Sequence, residues 1–365
     1  MEKTKNPYSR NLEYTIQYLT FILLDTIIYL KKDLLKGGKA MATIKDVAKR
    51  SGVTATTVSR MLNNKANVSN ATRAKIEQAM AELNYYPNEI ARALSAKRSN
   101  IIGLIVPAIN NPYFGQVIDA VERHASKNGY KLMLCNSNQN NTKELEYFEM
   151  LEANRVAGVI IASHTPNLGD RIRNNSMVIS IDRVISDRIP YICSDNYQGG
   201  VLATEHLIQR GCTKLAHISG SSTLNMDANK RCKAFKDVCQ RYGVDYVVLD
   251  ASEEQFIAMD YSEIIEFLFT SHPDVDGVFT SNDILAAQVI QSCVKRGVCV
   301  PGQLKVVGYD DIELCKLCTP TITTIHQSVG DICHYAVESI INNSRFNTLP
   351  KSIIFGVTLV QRGST

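Results

Sequence analysis

From Ser99 onward the sequence alternates short apolar runs with longer amphipathic stretches, and that alternation leaves few folds open. Ile101 to Ile109, Lys131 to Asn136 and Val156 to Ser163 read as strands, with helices at Pro112 to Asn128 and Glu144 to Asn154 between them. The pattern returns further on. Leu202 to Arg210, Asn229 to Tyr242 and Asp283 to Arg296 read as helices, and Lys214 to Gly220, Val275 to Ser281, Leu304 to Tyr309 and finally Ser352 to Val360 as strands. Parallel strands need a crossover of a dozen residues or more, so this succession predicts an α/β body of doubly wound parallel sheets. Two successive runs predict two lobes, with a ligand cleft beyond the carboxyl ends of the strands.

Polar residues fall at those ends: Asn110 and Asn111, Asp182 and Arg183, Ser281 and Asn282, Asp310 and Asp311. With Tyr113 and Phe114 they offer hydrogen-bonding groups for vicinal hydroxyls and aromatic faces for the apolar side of a sugar ring. Each residue also has a structural alternative. Asp182 and Arg183 could pair with each other, an Asn or Asp after a strand could cap the next helix, and the two aromatics could be core. It is their shared position that favours a small polyhydroxy ligand.

The preceding segment has a different character. In TIKDVAKRSGVTATTVSRML, Thr43 to Leu62, Ala48 is small where a second helix must pass, Gly52 frees the backbone for a tight turn, and Val58 fills the gap between the helices. This is the spacing of a helix-turn-helix. Thr43 with Asp46 predicts a capping box, Thr54 caps the second helix, and Ser69 caps a third, in which Ile76, Ala79, Met80 and Leu83 would close a core with Val47, Val53 and Val58. Charge agrees with a nucleic-acid partner. Met41 to Arg98 holds ten Lys/Arg against four Asp/Glu, whereas Ser99 to Thr365 holds 23 against 28, a basic head on a mildly acidic body.

Ten cysteines without regular spacing predict reduced thiols in a cytoplasmic protein rather than a disulfide framework. Cys315 and Cys318 form a lone CxxC, and no second pair of ligands stands nearby in the sequence, so no metal or other cofactor is expected. No catalytic residue is expected either. There is no GxGxxG, P-loop or GxSxG, and His164, His217 and His326 are isolated. The first forty residues fit neither a membrane span nor a cleavable signal, since the apolar stretch Tyr18 to Leu30 is broken by Thr20, Asp25 and Thr26. Lys36-Gly37-Gly38 can be encoded by a purine-rich ribosome-binding sequence ahead of Met41. Residues 1–40 are therefore expected to be a non-native extension and Met41 the natural start, the alternative being an N-terminal arm or tether.

The head motif, the linker YYPNEIARALSAKRSNIIGLIVP, and the later SDNYQGG, VVGYDD and TPTITTIHQ together resemble the LacI/GalR family of bacterial transcription regulators. Within it, LCNSNQN, EYFEMLEANRVAGVI and SDNYQGGVLATEHLI are most similar to sucrose-operon repressors. The resemblance runs from Thr43 to about Gly363. It implies a small all-α helix-turn-helix domain at residues 41–87, a hinge helix at 88–98, and a two-lobed periplasmic-binding-protein-like domain at 99–365. The N-lobe is expected at about 99–195 and 328–345, the C-lobe at about 196–327 and 346–365.

The matching DNA-contact positions are Thr43, Thr54, Ala55, Thr56, Ser59, Arg60 and Asn63, with Asn88, Ala91 and Leu94 in the hinge. Arg60 has the geometry to read guanine, or else to hold a phosphate, and Leu94 sits where the family wedges a leucine into the minor groove. The effector positions carried over are Tyr113, Phe114, Asp182, Arg231, Asn282 and Asp310. Purine-binding members have a tryptophan where Arg183 stands, and this chain has none, which favours a sugar or sugar phosphate over a nucleobase. The implied partners are a palindromic double-stranded operator, a small sugar and a second copy of the chain, since no heptad tail follows the last strand; no membrane partner is implied. Two other readings stay open at this point: control by a phosphoprotein partner, and a sugar-binding protein with no regulatory role.

Overall fold

The computed structural model describes residues 42–62, 68–86, 99–163, 168–172, 177–220, 226–342 and 349–365. The chain divides into two compact units, Met1–Arg92 and Ala93–Thr365.

Among the described residues of the first unit three helices follow in close succession: α1 (Ile44–Ser51), α2 (Ala55–Leu62) and α3 (Asn70–Glu82). The predicted caps are in place. Thr43 Oγ1 accepts the Asp46 N–H while the Thr43 N–H reaches Asp46 Oδ2 at 2.8 Å, a reciprocal box that satisfies two otherwise orphaned donors. Gly52 ends α1 at φ +70°, the left-handed region that favours glycine, and this lets the chain turn into α2 within three residues. Thr54 accepts the Thr57 N–H at 3.1 Å, and Ser69 accepts that of Thr72. Val47, Ala48, Val58, Met61, Ile76 and Ala79 are buried at the centre, with Val53, Met80 and Leu83 packed around them.

The second unit runs β1 (Ile101–Val106), α4 (Pro112–Lys127), β2 (Lys131–Asn136), α5 (Asn141–Ala153), β3 (Gly158–Ile161), β4 (Val178–Ile181) and β5 (Tyr191–Ser194). It continues with α6 (Asn196–Gln209), β6 (Lys214–Ser219), α7 (Lys230–Tyr242), β7 (Asp245–Asp250), α8 (Glu253–Ala258), α9 (Ser262–Ser271), β8 (Gly277–Thr280) and α10 (Asp283–Arg296). Last come β9 (Lys305–Asp310), α11 (Leu314–Leu317), β10 (Thr323–Gln327), α12 (Val329–Ile341), β11 (Ser352–Phe355) and β12 (Val357–Val360). Two six-stranded sheets form, in the orders β11-β5-β4-β3-β1-β2 and β12-β10-β9-β8-β6-β7. Every pairing is parallel except β10 with β12. Ile102, Leu104 and Ile160 in one sheet and Ala216, Ile218, Val278 and Val306 in the other are buried, as sheets covered on both faces require.

The predicted last strand, Ser352 to Val360, is two strands. Ser352–Phe355 extends the first sheet beside β5, Gly356 makes the crossing, and Val357–Val360 turns antiparallel to β10 in the second sheet. Residues 349–355 thus belong with the first lobe, not with the second as expected. The reason is register: a strand shared between two sheets needs one residue outside both ladders, and an unbroken apolar run hides it. The chain also crosses between lobes at Asp195, before α6, and at Ser328, before α12. Among the described residues no helix is long and apolar enough to cross a membrane.

Candidate functional site

Between the lobes of the second unit lies a cleft of about 1060 Å³, part of it open to solvent. Its walls come from the carboxyl ends of both sheets. Pro107, Ala162 and Asp182 follow β1, β3 and β4, while Ser219, Ser281, Asp310 and Gln327 end or follow β6, β8, β9 and β10. This is where an open parallel sheet leaves a crevice, because the helices that cover its faces start there.

All six effector candidates, Tyr113, Phe114, Asp182, Arg231, Asn282 and Asp310, line this one cleft. Asn111 caps α4 by accepting the Tyr113 N–H at 3.0 Å, which holds Tyr113 and Phe114 at the cleft end of the helix, their rings edge to face at 5.3 Å. The Tyr113 hydroxyl donates to Asp182 Oδ2 at 2.5 Å. Asp182 sits at φ +58°, a conformation that costs a residue with a Cβ and is a recurrent mark of functional positions. Burial pushes its carboxyl above the usual range, opposed by the Tyr113 hydroxyl and the Arg231 charge. Burial, and then the nearby Asp182 charge, also pushes the Tyr113 phenol well up.

On the opposite wall α7 presents Arg231, whose Nε donates to Asn196 Oδ1 at 2.7 Å and whose Nη1 donates to the Ser281 carbonyl at 2.6 Å. The guanidinium lies 3.5 Å from the centre of the Tyr309 ring, a stacked cation–π contact, and 3.8 Å from Asp310 Oδ1. Asp310 also accepts from Gln327 Nε2 at 2.7 Å, and burial raises its carboxyl well above the ordinary value despite Arg231. Asn282 is committed twice, capping α10 at Leu285 and donating to the Tyr261 hydroxyl.

Several sequence candidates lie elsewhere. Arg183 points away and donates to the Ser163 carbonyl, Asp311 pairs with Arg362 and His326, and Asn110 is not in the lining. Cys315 is buried and Cys318 half-buried, both free, and among the described residues no three His, Cys, Asp or Glu side chains are gathered as a metal site requires. Sequence reasoning missed Asn196, Gln327 and the placement of His217. Gln327 ends a threonine-rich strand that gave no apolar signal, and Asn196 opens α6 six residues before the apolar pattern that predicts it. His217 is 1% exposed in the middle of β6, with Nδ1 2.9 Å from the Phe279 carbonyl.

In the first unit Thr54, Thr56 and Arg60 are exposed and Ala55 and Ser59 partly so, on the second helix of the motif, and Thr43 is held in its capping box. Asn63, Asn88, Ala91 and Leu94 lie outside the described residues.

The known proteins this chain resembles are consistent with both units. The pattern of "Bacterial regulatory proteins, lacI family" matches residues 43–88, and that of "Periplasmic binding protein-like domain" matches 204–365. The ribose operon repressor of Halalkalibacterium halodurans is 37% identical over 80% of this chain and 87% of its own. The chain belongs to the lacI family of bacterial regulatory proteins. The sucrose operon repressor of Streptococcus mutans is 35% identical over 88% of this chain and 98% of its own, in keeping with the segments that resemble sucrose-operon repressors. A crystal structure of the lac repressor dimer bound to operator and the anti-inducer ONPF superposes with a TM-score of 0.76, at 25% identity, covering 89% of this chain and 99% of that one. As a member of this family the chain is a DNA-binding transcriptional repressor, not an enzyme.

Proposed function

We propose that this repressor controls carbohydrate-utilisation genes, that the cleft takes a small sugar or sugar phosphate, and that occupancy sets the affinity of the helix-turn-helix for a palindromic operator bound by a homodimer. One observation carries the effector reading. Tyr113, Phe114, Asp182, Arg231, Asn282 and Asp310, far apart in sequence, converge on a single cleft that combines an aromatic wall with buried hydrogen-bonding groups. That is the composition a sugar ring needs, an apolar face for its C–H side and directional partners for its hydroxyls. Relatives named for ribose and sucrose operons support the same class. Two copies fit a palindrome because each half-site then meets an identical head, as in the operator-bound lac repressor dimer.

The second helix of the motif would enter the major groove with Arg60 as the main base reader, supported by Ala55, Thr56 and Ser59, while Thr43, Thr54 and Asn63 position the head. Asn88, Ala91 and Leu94 would act at the centre of the site. The test is operator binding titrated with a sugar panel. Wild type responds to at least one sugar, and Asp182→Asn still binds operator but loses that response. A wild-type protein that ignores every sugar and responds to a phosphorylated carrier protein refutes the effector reading.

A further inference from the structure

The cleft's hydrogen-bonding inventory is lopsided. Asp182 Oδ1 and Gln327 Oε1 are buried acceptors with no hydrogen-bond partner, and the Ser281 hydroxyl is likewise buried and unmatched. All three belong to residues of the lining. Leaving such groups unpaired costs about 1–3 kcal/mol each, so the two carbonyl-type acceptors favour a ligand that brings donors, while the hydroxyl can take either.

His217 adds a fourth. A carbonyl accepts only, so at 2.9 Å from the Phe279 carbonyl the Nδ1 must carry the proton, and in the neutral ring Nε2 is then a bare acceptor. The ring stays neutral: burial among Phe235 and Phe279 pushes its pKa down to about 3. Among the described residues no protein group hydrogen-bonds Nε2, and His217 lines the cleft.

Charge points the same way. Arg231 is the single cation among the described lining residues, and it is already engaged by Asn196, Ser281, Asp310 and the Tyr309 face. Against it stand Asp182 and Asp310, whose carboxylates burial already penalises. Two of the helix starts at the cleft offer an anion no free amide, and α7, which opens there without a side-chain cap, does so beside an Arg231 that is already engaged. Pro112 at the start of α4 has no N–H and the Tyr113 N–H is taken by Asn111, while Asn282 caps α10 and the carboxyl of Asp283 follows it. The phosphate group of a monoester carries a charge of about −1.5 to −2 at neutral pH and puts acceptor oxygens where the free sugar has a hydroxyl donor.

We infer that the cleft selects a neutral, unphosphorylated polyhydroxy ligand over its phosphate monoesters, with His217 Nε2 accepting from one of its hydroxyls. This narrows the effector reading and rests on it. The test is calorimetric titration of the full chain with paired probes: ribose and ribose 5-phosphate, fructose and fructose 6-phosphate, sucrose and sucrose 6-phosphate. In the pair that binds, the free sugar is expected at least about tenfold tighter than its phosphate. His217→Leu is expected to weaken the free sugar by about three- to tenfold, the worth of one hydrogen bond. A phosphate that binds as tightly as its free sugar, or more tightly, overturns the inference while leaving the cleft as the effector site. Because that comparison uses the unmodified protein, it stands even where the variant does not fold. Unchanged affinity in a folded His217→Leu removes the role given to His217, and silence from every probe overturns the effector reading and this inference with it.

Discussion

Arg60 and Asp283 show how differently two charged residues can be spent. Arg60 is exposed near the end of α2, free to meet a partner outside the chain. Arg60→Ala should cost about 1–3 kcal/mol of operator affinity and relax base preference at one position per half-site. Selection from a randomised operator reads this, and an unchanged preference with uniformly weaker binding would make Arg60 a phosphate contact. Asp283 is fully buried at the first turn of α10, accepting from Thr324 Oγ1 at 2.6 Å and from the Ile312 N–H at 3.0 Å. Burial is the main reason its carboxyl is pushed up to about 6; these hydrogen bonds oppose the shift and the nearby Asp311 charge adds to it. The unfolded chain releases this proton near pH 4, so between about pH 4 and 6 the folded state holds more protons, and the contribution to stability is lost as pH rises through that window. Asp283→Asn should therefore flatten the fall in melting temperature between about pH 4 and 6. Equal slopes for the two proteins would contradict this assignment. The place of Arg60 in the motif marks it from sequence as a candidate base reader, and its exposure leaves it available for that contact. The burial of Asp283 was not legible in the sequence, because it arises from contacts with Ile312 and Thr324, 29 and 41 positions away.

At the scale of elements, what could be read from sequence follows the strength of local periodicity. The three head helices carry strong caps and a fixed spacing, and they fold as that spacing predicts. In the body, β1, β2, β3, β6, β8 and β9 were readable as apolar runs, but β4, β5, β7 and β10 were not. β10 has a single aliphatic residue, Ile325, between polar neighbours, and β4 and β5 are short apolar runs with no amphipathic helix read between them to set them apart as strands. Packing between α6 and α7 was equally invisible, since a glycine in an amphipathic helix looks like a weakness until its neighbour is known. At Gly200 an added Cβ would meet the Arg231 carbonyl at 2.6 Å and the Ala234 Cβ at 2.8 Å. Gly200→Ala should destabilise the body by about 1–3 kcal/mol, the usual cost of overpacking. It should also weaken sugar binding, because the displaced backbone is that of Arg231. Denaturant unfolding and a sugar titration of the same variant check both halves, and a neutral effect on unfolding would mean that α7 yields without cost.

Over the whole molecule, the cleft and the lobe crossings are built from the same residues. Asn196, which orients Arg231, opens α6 directly after the crossing at Asp195, and Gln327, which donates to Asp310, is the last residue before the crossing at Ser328. A ligand that pulls on Arg231 or Asp310 therefore acts within one residue of two of the three points where the lobes can pivot, the third being Gly356. Contacts that differ between two lobe arrangements are the only source of free energy by which a small molecule can bias them. Whether the sugar releases the operator or secures it depends on which arrangement it prefers, but thermodynamics fixes one relation in either case. If saturating sugar changes operator affinity by some factor, saturating operator must change sugar affinity by the same factor, about 5- to 150-fold for a typical coupling of 1–3 kcal/mol. Operator titrations with and without sugar, and sugar titrations with and without operator, give the two factors separately. Equal factors well above one establish the cleft and the head as two ends of one equilibrium. A sugar that binds the cleft and leaves operator affinity untouched would make it a bystander, and the regulatory signal would then have to enter elsewhere.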